Sequence, residues 1–260
     1  MQTISSIKKC KNQEKLVMIT AYDALFAALF NNKVDMILVG DSLNVSHNRA
    51  IDTLSASMDM MIYHTKAVCK GAPETFVVTD IPFGAYFDEK SALKKCARVY
   101  QETNSNAVKI EGGRERAHIV KALTQNSIAV VGHIGLMPQF ARSEGGFKIK
   151  GKNEDGIQKL IDDARAIEDA GAFCIVLEGV KEDAGKAISE AVDVPIIGIG
   201  AGRYTDGQVL VWSDMLGFFE DFQPKFVKRY LNGADLVRDA VKQYAKEVKE
   251  GLFPSSEFIY

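Results

Sequence analysis

Three carboxylates stand at the ends of separate apolar runs, and together they could bind a hard divalent cation. Asp41 follows MILVG, Asp80 ends FVVTD, and Glu111 ends AVKIE. An aspartate in this position is often only a helix N-cap, an interpretation that stays open for Asp41 or Asp80 taken singly and fits Asp23 best. If the three carboxylates converge, however, their oxygen atoms are the ligands that Mg²⁺ selects in proteins.

Lys109, His133 and Glu178 are further ionisable side chains beside apolar runs. Lys109 precedes Glu111 by two residues, so on a strand both side chains would point to the same face. Lys109 could form a salt bridge with Glu111, or it could receive a substrate carboxylate or oxyanion. His133 is equally compatible with a core position and with a catalytic one. Glu178 closes the apolar run FCIVLE (173–178), which places a group that is costly to bury at the end of a hydrophobic strand.

The elements that would position these side chains are eight short β-branched runs separated by helical patterns. Eight runs of this buried type in 260 residues favour a closed barrel of parallel strands covered by helices. We therefore predict the α/β class and a (β/α)8 TIM barrel, with a single domain over residues 1–260 and a C-terminal helical extension. The predicted strands are 16–20, 36–40, 76–80, 107–111, 128–132, 173–178, 194–200 and 209–212. The clearest helical patterns are 23–32, 91–103 and 156–172.

In such a barrel the carboxyl ends of the strands meet at one mouth, where active sites lie. The three carboxylates, Lys109, His133 and Glu178 would then share one site. Two glycine-containing segments would lie at the same mouth. GIGAG (198–202) could cradle a phosphate or form a tight turn, and we favour the turn because no clear helix follows. QFARSEGGFKIKGK (139–152) could be a closing lid or an ordinary surface loop.

The composition indicates a folded protein with no electrostatic preference for nucleic acid or an anionic membrane. The hydrophobic fraction is 47% and the formal net charge is -2. The four cysteines form no CxxC pair, so neither a zinc ribbon nor a redox motif is expected. The first residues lack the apolar stretch of a signal peptide, and no apolar run approaches the roughly 20 residues of a membrane span. We therefore expect a cytoplasmic protein.

Ten longer motifs follow one another along the chain. They are ITAYD (19–23), ILVGDSL (37–43), YHT (63–65), TDIPFGAY (79–86), VKIEGG (108–113), GHIGLMPQ (132–139), GGFKIKGK (145–152), VLEGV (176–180), PIIGIGAG (195–202) and TDGQVLVWSD (205–214). Taken together, these motifs resemble the ketopantoate hydroxymethyltransferase family from about residue 4 to residue 218. Their length and order make a chance match a poor explanation.

The resemblance implies a Mg²⁺-dependent (β/α)8 barrel that transfers a one-carbon unit from the co-substrate 5,10-methylenetetrahydrofolate to 3-methyl-2-oxobutanoate. The product, 2-dehydropantoate, belongs to pantothenate and coenzyme A biosynthesis. By resemblance, the proton acceptor falls on Glu178, and the metal ligands fall on Asp41, Asp80 and Glu111. Contacts with the keto acid fall on Asp41, Ser42, Asp80 and Lys109. Family members are commonly homodecamers. We therefore expect this chain to form a homo-oligomer, with the decamer as the expected form.

Two features limit what the resemblance can transfer. Residues 47–57 read HNRAIDTLSAS, where the family usually has a glycine-containing turn followed by TLPVT, so this loop could differ in shape. The family's folate contacts are less sharply defined by motif, so no residue is assigned to methylenetetrahydrofolate. The alternative function is another Mg²⁺-dependent enolate enzyme for a 2-oxo acid, of the phosphoenolpyruvate/isocitrate lyase kind. The ring of carboxylates with a lysine argues against a non-catalytic barrel that binds a small acid.

Overall fold

Eight parallel strands close into a barrel in the computed structural model, which describes residues 1–260. Each strand pairs with the next one along the chain, and β1 pairs with β8 to complete the ring. The predicted (β/α)8 barrel is therefore confirmed. The strands are β1 Leu16–Thr20, β2 Met36–Val39, β3 Phe76–Asp80, β4 Ala107–Glu111, β5 Val130–Gly135, β6 Cys174–Glu178, β7 Ile196–Ile199 and β8 Gly207–Leu210.

Helices alternate with the strands, and several begin at a side chain that accepts a backbone N–H. Asp23 accepts from the N–H of Phe26 at 2.9 Å, so the prediction that Asp23 is a helix cap is confirmed. No helix separates β7 from β8, in agreement with the short spacing of the two runs. The helices are α1 Ile4–Lys9, α2 Ala24–Phe30, α3 Leu43–Ser46, α4 Met58–Gly71, α5 Glu89–Glu102, α6 Ala117–Gln125, α7 Ala141–Glu144, α8 Glu154–Asp169, α9 Glu182–Glu190, α10 Trp212–Met215 and α11 Gly233–Lys249.

The inward faces of the central strands change from apolar to ionisable toward the mouth. Side chains two residues apart on a strand share a face. All eight strands contribute residues to one apolar cluster inside the barrel. On each of β3 to β6, an ionisable residue lies two positions after a residue of that cluster. The charged mouth of the barrel is therefore directly adjacent to its apolar interior. The pairs are Val78 with Asp80, Ala107 with Lys109, Val131 with His133 and Val176 with Glu178.

The boundaries of β5 and β8 are shifted from the prediction, whereas β2, β6 and β7 are shorter than predicted and lie inside the predicted ranges. Strand β5 begins two residues later and ends three residues later than expected, and β8 lies two residues earlier. A run that is apolar on both faces carries no periodicity that marks where pairing starts, so the neighbouring strands decide the register. His133 pairs with Glu111 on one side and Val176 on the other. It therefore lies inside β5 rather than after it.

The chain forms two compact units, Met1–Val211 and Trp212–Tyr260. The first contains the barrel. The second contains α10 and the long helix α11, which confirms the predicted helical extension. The single domain over residues 1–260 stays a prediction. None of the helices combines the length and the apolar composition that a membrane crossing requires.

Candidate active site at the barrel mouth

The three predicted carboxylates converge at the mouth of the barrel. Asp41 follows β2, Asp80 ends β3 and Glu111 ends β4, and one oxygen atom from each lies within 4.8 Å of the others. All three side chains are buried. The backbone N–H of Asp41 donates to Asp80 Oδ2 at 3.3 Å, so the loop after β2 is tied to the end of β3. Neither Asp41 nor Asp80 is the N-cap of a helix.

Lys109 lies among these carboxylates, and its closest acidic partner is not the one that sequence spacing suggested. Its Nζ is 2.9 Å from Asp80 Oδ1 and 3.6 Å from Glu111 Oε1. The parallel register places Lys109 opposite Asp80, which explains the preference for the neighbouring strand. Burial lowers the pKa of the Lys109 ammonium, but the surrounding carboxylates outweigh burial and raise it, so Lys109 stays protonated.

The electrostatics of the cluster fit a divalent cation. Burial raises the pKa of Asp41 well above its usual range, and repulsion by Asp80 and Glu111 adds to the shift. Burial likewise raises the pKa of Asp80, against the opposing effect of Lys109. When ionised, three carboxylates beside one ammonium leave two negative charges uncompensated. The buried Glu111 Oε1 makes no hydrogen bond, so it is available as a metal ligand.

His133 connects this cluster to Glu178. Its Nδ1 is 3.0 Å from Lys109 Nζ and 3.4 Å from Glu111 Oε1, and its Nε2 is 3.3 Å from Glu178 Oε2. Burial and the Lys109 ammonium lower the pKa of His133, but the two glutamates outweigh them and raise it. Burial raises the pKa of Glu111, yet His133 and Lys109 reverse the shift and lower it. His133 is therefore part of the polar site rather than an isolated core residue.

Glu178 ends β6 and keeps partial access to solvent. Its side chain is 20% exposed, whereas those of Asp41, Asp80 and Glu111 are buried. Gly179 follows at φ +58, and a Cβ there would lie 2.8 Å from the Cβ of Leu136, so the sharp exit from the strand requires glycine. The carboxylate is thus held on a rigid strand end at the edge of the buried cluster.

Ser42, which the resemblance assigns to the keto acid, lies beside the same mouth. It directly follows Asp41, and its Oγ is 2.8 Å from the hydroxyl of Tyr22. The Ser42 side chain makes no capping hydrogen bond to α3, although it occupies the N-cap position. Tyr22 instead orients this hydroxyl from the end of β1.

Gln139 is a buried member of the site that sequence reasoning did not assign. Its Nε2 donates to Asp41 Oδ2 and to the carbonyl oxygen of Ile81, both at 2.9 Å. Its backbone N–H donates to Glu111 Oε2 at 3.1 Å. The hydroxyl of Tyr86 donates to Gln139 Oε1 at 2.5 Å. Gln139 therefore holds one carboxylate oxygen of each of two candidate metal ligands.

The signal for Gln139 was weak in the sequence. The motif GHIGLMPQ contains it, but a glutamine in a loop shows no pattern that reports burial. Pro138 begins a short 3₁₀ turn that carries Gln139 inward. Tyr86, at the end of TDIPFGAY in the loop after β3, likewise shows no sequence pattern that indicates burial.

The two glycine-containing loops have definite structures. The segment after β5 forms the 3₁₀ turn and α7, and then pairs Lys150 with Val180 in an isolated bridge beside the end of β6. The N–H of Lys150 donates to the carbonyl of Gly179 at 2.9 Å, so this loop is fastened next to Glu178. GIGAG leads from β7 into a turn with no helix behind it, as the tight-turn interpretation expected.

The fold and the site define a (β/α)8-barrel protein whose mouth holds a buried acidic cluster suited to a divalent cation. A family model described as ketopantoate hydroxymethyltransferase matches residues 1–256. The 3-methyl-2-oxobutanoate hydroxymethyltransferase of a Nitratiruptor species is 61% identical over 258 residues, covering 99% of this chain and 98% of that relative. The protein of the same name from Helicobacter pylori is 58% identical, with 97% and 94% covered. The chain belongs to the ketopantoate hydroxymethyltransferase family.

Solved structures with the same architecture come from another group of enzymes. A 2,3-dimethylmalate lyase, described as a PEP mutase/isocitrate lyase superfamily member, aligns with a TM-score of 0.61 at 14% identity over 100% of this chain and 92% of that chain. A phosphonopyruvate hydrolase in complex with oxalate and Mg++ aligns with a TM-score of 0.61 at 12% identity, over 99% and 93%. At these identities the similarity shows the barrel fold alone.

Proposed function

We propose that this protein is a 3-methyl-2-oxobutanoate hydroxymethyltransferase that uses 5,10-methylenetetrahydrofolate and yields 2-dehydropantoate for pantothenate biosynthesis. The proposal depends on one observation: the barrel mouth holds an acidic cluster with a lysine and, apart from it, a single further carboxylate. Asp41, Asp80 and Glu111 form a buried acidic cluster beside Lys109, and Glu178 stands apart on β6. Enolate chemistry needs these two parts, a centre of positive charge for the keto acid and a base. Full-length relatives at 57–61% identity carry the same name.

The metal site is assigned to Asp41, Asp80 and Glu111. The charge imbalance of the cluster and its all-oxygen ligand set suit Mg²⁺. When bound, Mg²⁺ would supply Lewis-acid stabilisation of the negative charge that develops on the keto oxygen. Gln139 holds Asp41 Oδ2 and Glu111 Oε2 by hydrogen bonds, and it thereby sets the direction of the other carboxylate oxygens.

The keto acid is assigned to Asp41, Ser42, Asp80 and Lys109. Lys109 brings a buried positive charge to the substrate's anionic end, and the Ser42 hydroxyl, which the Tyr22 hydroxyl holds in place at 2.8 Å, can hydrogen-bond to the substrate. Asp41 and Asp80 would contact the keto acid at the cation that they hold. Asp41, Asp80 and Lys109 are buried, so a keto acid bound beside them would be shielded from bulk water.

Glu178 is the proposed base. The C3–H bond of 3-methyl-2-oxobutanoate breaks, its proton goes to a carboxylate oxygen of Glu178, and its electron pair forms the enolate. His133 contacts Glu178 Oε2 through Nε2 and holds that oxygen in position. The enolate carbon then attacks the methylene carbon of the folate, which forms the new C–C bond and breaks one of the two C–N bonds of that carbon. Water replaces the second nitrogen, so its oxygen becomes the hydroxyl of the product, and the proton held by Glu178 and one proton from water go to the two nitrogens of the departing tetrahydrofolate.

The proposal is tested by NMR of 3-methyl-2-oxobutanoate in D₂O with protein and Mg²⁺. We expect the C3 proton to exchange, and we expect 2-dehydropantoate only when methylenetetrahydrofolate is added. Exchange without folate-dependent product would contradict the transferase. The alternative, a lyase-type enolate enzyme, shares the barrel of the solved neighbours and would instead turn over a 2-oxo acid substrate in the absence of folate.

We also propose a homo-oligomer, with the decamer as the expected form, and a cytoplasmic location. Helix α11 supports association because Val237, Val241, Tyr244 and Val248 recur at helical spacing and are all 45–59% exposed. Light scattering should give a mass well above the 28.6 kDa of one chain. Val241→Glu should lower that mass, whereas Gln243→Glu on the same helix should not. A monomeric wild-type protein at micromolar concentration would contradict the proposal.

A further inference from the structure

The motif YHT (63–65) lies on α4, and the site at the barrel mouth includes none of its three residues. His64 Nδ1 is 2.5 Å from the backbone carbonyl oxygen of Tyr22, although the two residues are 42 positions apart in the chain. A carbonyl oxygen only accepts hydrogen bonds, so Nδ1 is the donor and carries a proton. This contact sets the tautomer of a neutral His64 ring and ties α4 to the segment that follows β1.

Tyr22 is held at its backbone, its ring and its hydroxyl. It lies two positions after the end of β1 and is 1% exposed. The His47 ring meets the Tyr22 ring edge to face, with centroids 4.7 Å apart. Burial and the neighbouring His64 lower the pKa of His47, against the effect of Asp23, which favours a neutral ring in this contact. The Tyr22 hydroxyl lies 2.8 Å from Ser42 Oγ, so its position depends on the backbone that His64 holds.

Ser42 Oγ occupies a confined position beside the candidate metal site. Its side chain makes no capping hydrogen bond with α3. A Cβ on Gly40 would lie 2.9 Å from Ser42 Oγ, so a larger residue at position 40 would push the hydroxyl away. Asp41, between these two residues, is a candidate metal ligand. The sequence GDS (40–42) therefore keeps a place for the Ser42 hydroxyl next to the hydroxyl of Tyr22.

Helix α4 is anchored to the barrel by the residue next to His64. Thr65 is buried, and its Oγ1 lies 3.1 Å from Thr79 Oγ1. Thr79 directly precedes Asp80 on β3. Adjacent residues of the motif therefore reach two strand ends, that of β1 through His64 and that of β3 through Thr65. The helix is thus a fixed support from which His64 holds Tyr22.

We propose that His64 is a positioning residue for the keto acid: it holds the Tyr22 backbone and thereby places the Tyr22 hydroxyl that directs Ser42 Oγ toward the substrate. The inference rests on the proposed function, which assigns Ser42 to the keto acid. A phenol is more acidic than an alcohol and is the better donor, so Tyr22 donates to Ser42 and leaves the Ser42 O–H for an oxygen of the substrate. His64 touches no reacting atom. Its loss should therefore weaken binding of the keto acid and leave the metal site intact.

The test measures the Kd of 3-methyl-2-oxobutanoate by titration calorimetry on the full chain with saturating Mg²⁺. His64→Phe keeps a ring but removes the donor, and it should raise this Kd about 3- to 10-fold, the effect of losing one neutral hydrogen bond. The Kd of Mg²⁺ and the rate of C3 exchange at saturating keto acid should stay at their wild-type values. His118→Gln changes an exposed histidine on α6 and should leave all three quantities unchanged.

Two further variants separate the hydrogen bond from the volume of the ring. Asn Nδ2 is bonded to Cγ, as His Nδ1 is, so His64→Asn can still donate to the Tyr22 carbonyl and should retain the wild-type Kd. In His64→Gln the amide lies one carbon further along the side chain, so this variant should bind the keto acid as weakly as His64→Phe.

A double-mutant cycle tests whether His64 acts through the hydroxyl of Tyr22. Tyr22→Phe keeps the ring and removes only the hydroxyl that contacts Ser42. If His64 acts through this hydroxyl, His64→Phe should raise the Kd of the keto acid in the wild type but have little further effect in Tyr22→Phe. Fully additive effects of the two changes would contradict the proposed path.

The outcomes distinguish this inference from the proposed function. If wild-type protein neither binds the keto acid nor exchanges its C3 proton, the proposed function fails and this inference fails with it. If wild-type protein does both, but His64→Phe and His64→Gln keep the wild-type Kd, only the positioning role is wrong. Equal weakening in all three His64 variants would make the ring structural and would also contradict the inference. If the melting temperature shows that His64→Phe does not fold, the comparison of His64→Asn with His64→Gln decides.

Discussion

His133 Nε2 lies 3.3 Å from Glu178 Oε2, while the other ring nitrogen of His133 lies 3.0 Å from Lys109 Nζ. One imidazole on β5 therefore connects the candidate base on β6 with the charged group on β4. The register of three neighbouring parallel strands produces this connection, because His133 pairs with Glu111 on one side and Gly135 pairs with Glu178 on the other. The base and the acidic cluster remain separate groups with one shared neighbour.

Glu178→Gln should abolish proton removal without abolishing binding. The change keeps the size of the side chain but removes the proton acceptor, and a positioned base contributes roughly 10²- to 10⁴-fold in rate. We expect C3 exchange into D₂O to fall by a factor in this range, with near-normal affinity for Mg²⁺ and for the keto acid. Loss of Mg²⁺ binding would instead make Glu178 a metal ligand. A lower melting temperature with intact exchange would make its role structural.

Asp80→Asn should weaken Mg²⁺ binding and the exchange that depends on it. Substitutions of residues that only support metal ligands already cost about 10- to 100-fold in affinity, so the loss of a ligand carboxylate should exceed that range. Isothermal titration with Mg²⁺ provides the measurement. Asp23→Asn is the matched control, because Asp23 caps α2 and asparagine caps helices equally well. Wild-type Mg²⁺ affinity in Asp80→Asn would rule out its assignment as a ligand.

Gln139→Met should reduce Mg²⁺ affinity or activity by roughly 10- to 100-fold, although Gln139 is not itself placed as a ligand. Methionine has a similar length but cannot donate to Asp41 Oδ2 or to the carbonyl of Ile81. Tyr86→Phe removes only the hydroxyl that donates to Gln139 and should have a smaller effect. Gln158→Met on the exposed face of α8 is the control. If Gln139→Met matched that control in Mg²⁺ titration and exchange, Gln139 would have no positioning role.

Asp206 should make the folded protein more sensitive to acid. It lies just before β8 and accepts hydrogen bonds from Lys11 Nζ and from the N–H of Ile196, both at 2.9 Å. Burial raises the pKa of Asp206, but these donors outweigh burial and lower it. Because the folded pKa is below the unfolded value of about 3.9, the stabilisation is fully present above that value. It is lost as the pH falls through the folded pKa.

Asp206→Asn should therefore lower the free energy of unfolding at pH 7, by about 1–3 kcal/mol, and reduce its dependence on pH below about 4. Urea denaturation of the wild type and the variant at several pH values gives both quantities. Asp162→Asn disrupts a surface pair with Arg114 and should change stability by no more than about 1 kcal/mol. Parallel pH profiles for the wild type and Asp206→Asn would contradict this account of Asp206.

Much of the barrel and part of the site are contained in the local sequence. Apolar runs of strand length, separated by amphipathic helices, predict the barrel because each element must bury its apolar surface. The ionisable residues at the strand ends predict a charged mouth, since parallel strands point their carboxyl ends the same way. Their positions at strand ends therefore suffice to predict that Asp41, Asp80 and Glu111 form one cluster, as they do in the structure. The helix cap at Asp23 could also be predicted from the sequence, because a cap is a contact between near neighbours in the chain.

Only the tertiary structure decided which side chains contact one another across the mouth. Lys109 pairs most closely with Asp80 rather than with Glu111, because the register of β3 against β4 places them side by side. Gln139 contacts Asp41 across 98 residues of sequence, and no local pattern encodes such a contact. Periodicity reports which face of an element is apolar, but register and long-range hydrogen bonds depend on how separate elements pack. The types of group at the site were thus readable from the sequence, whereas their partners depended on the closure of the barrel.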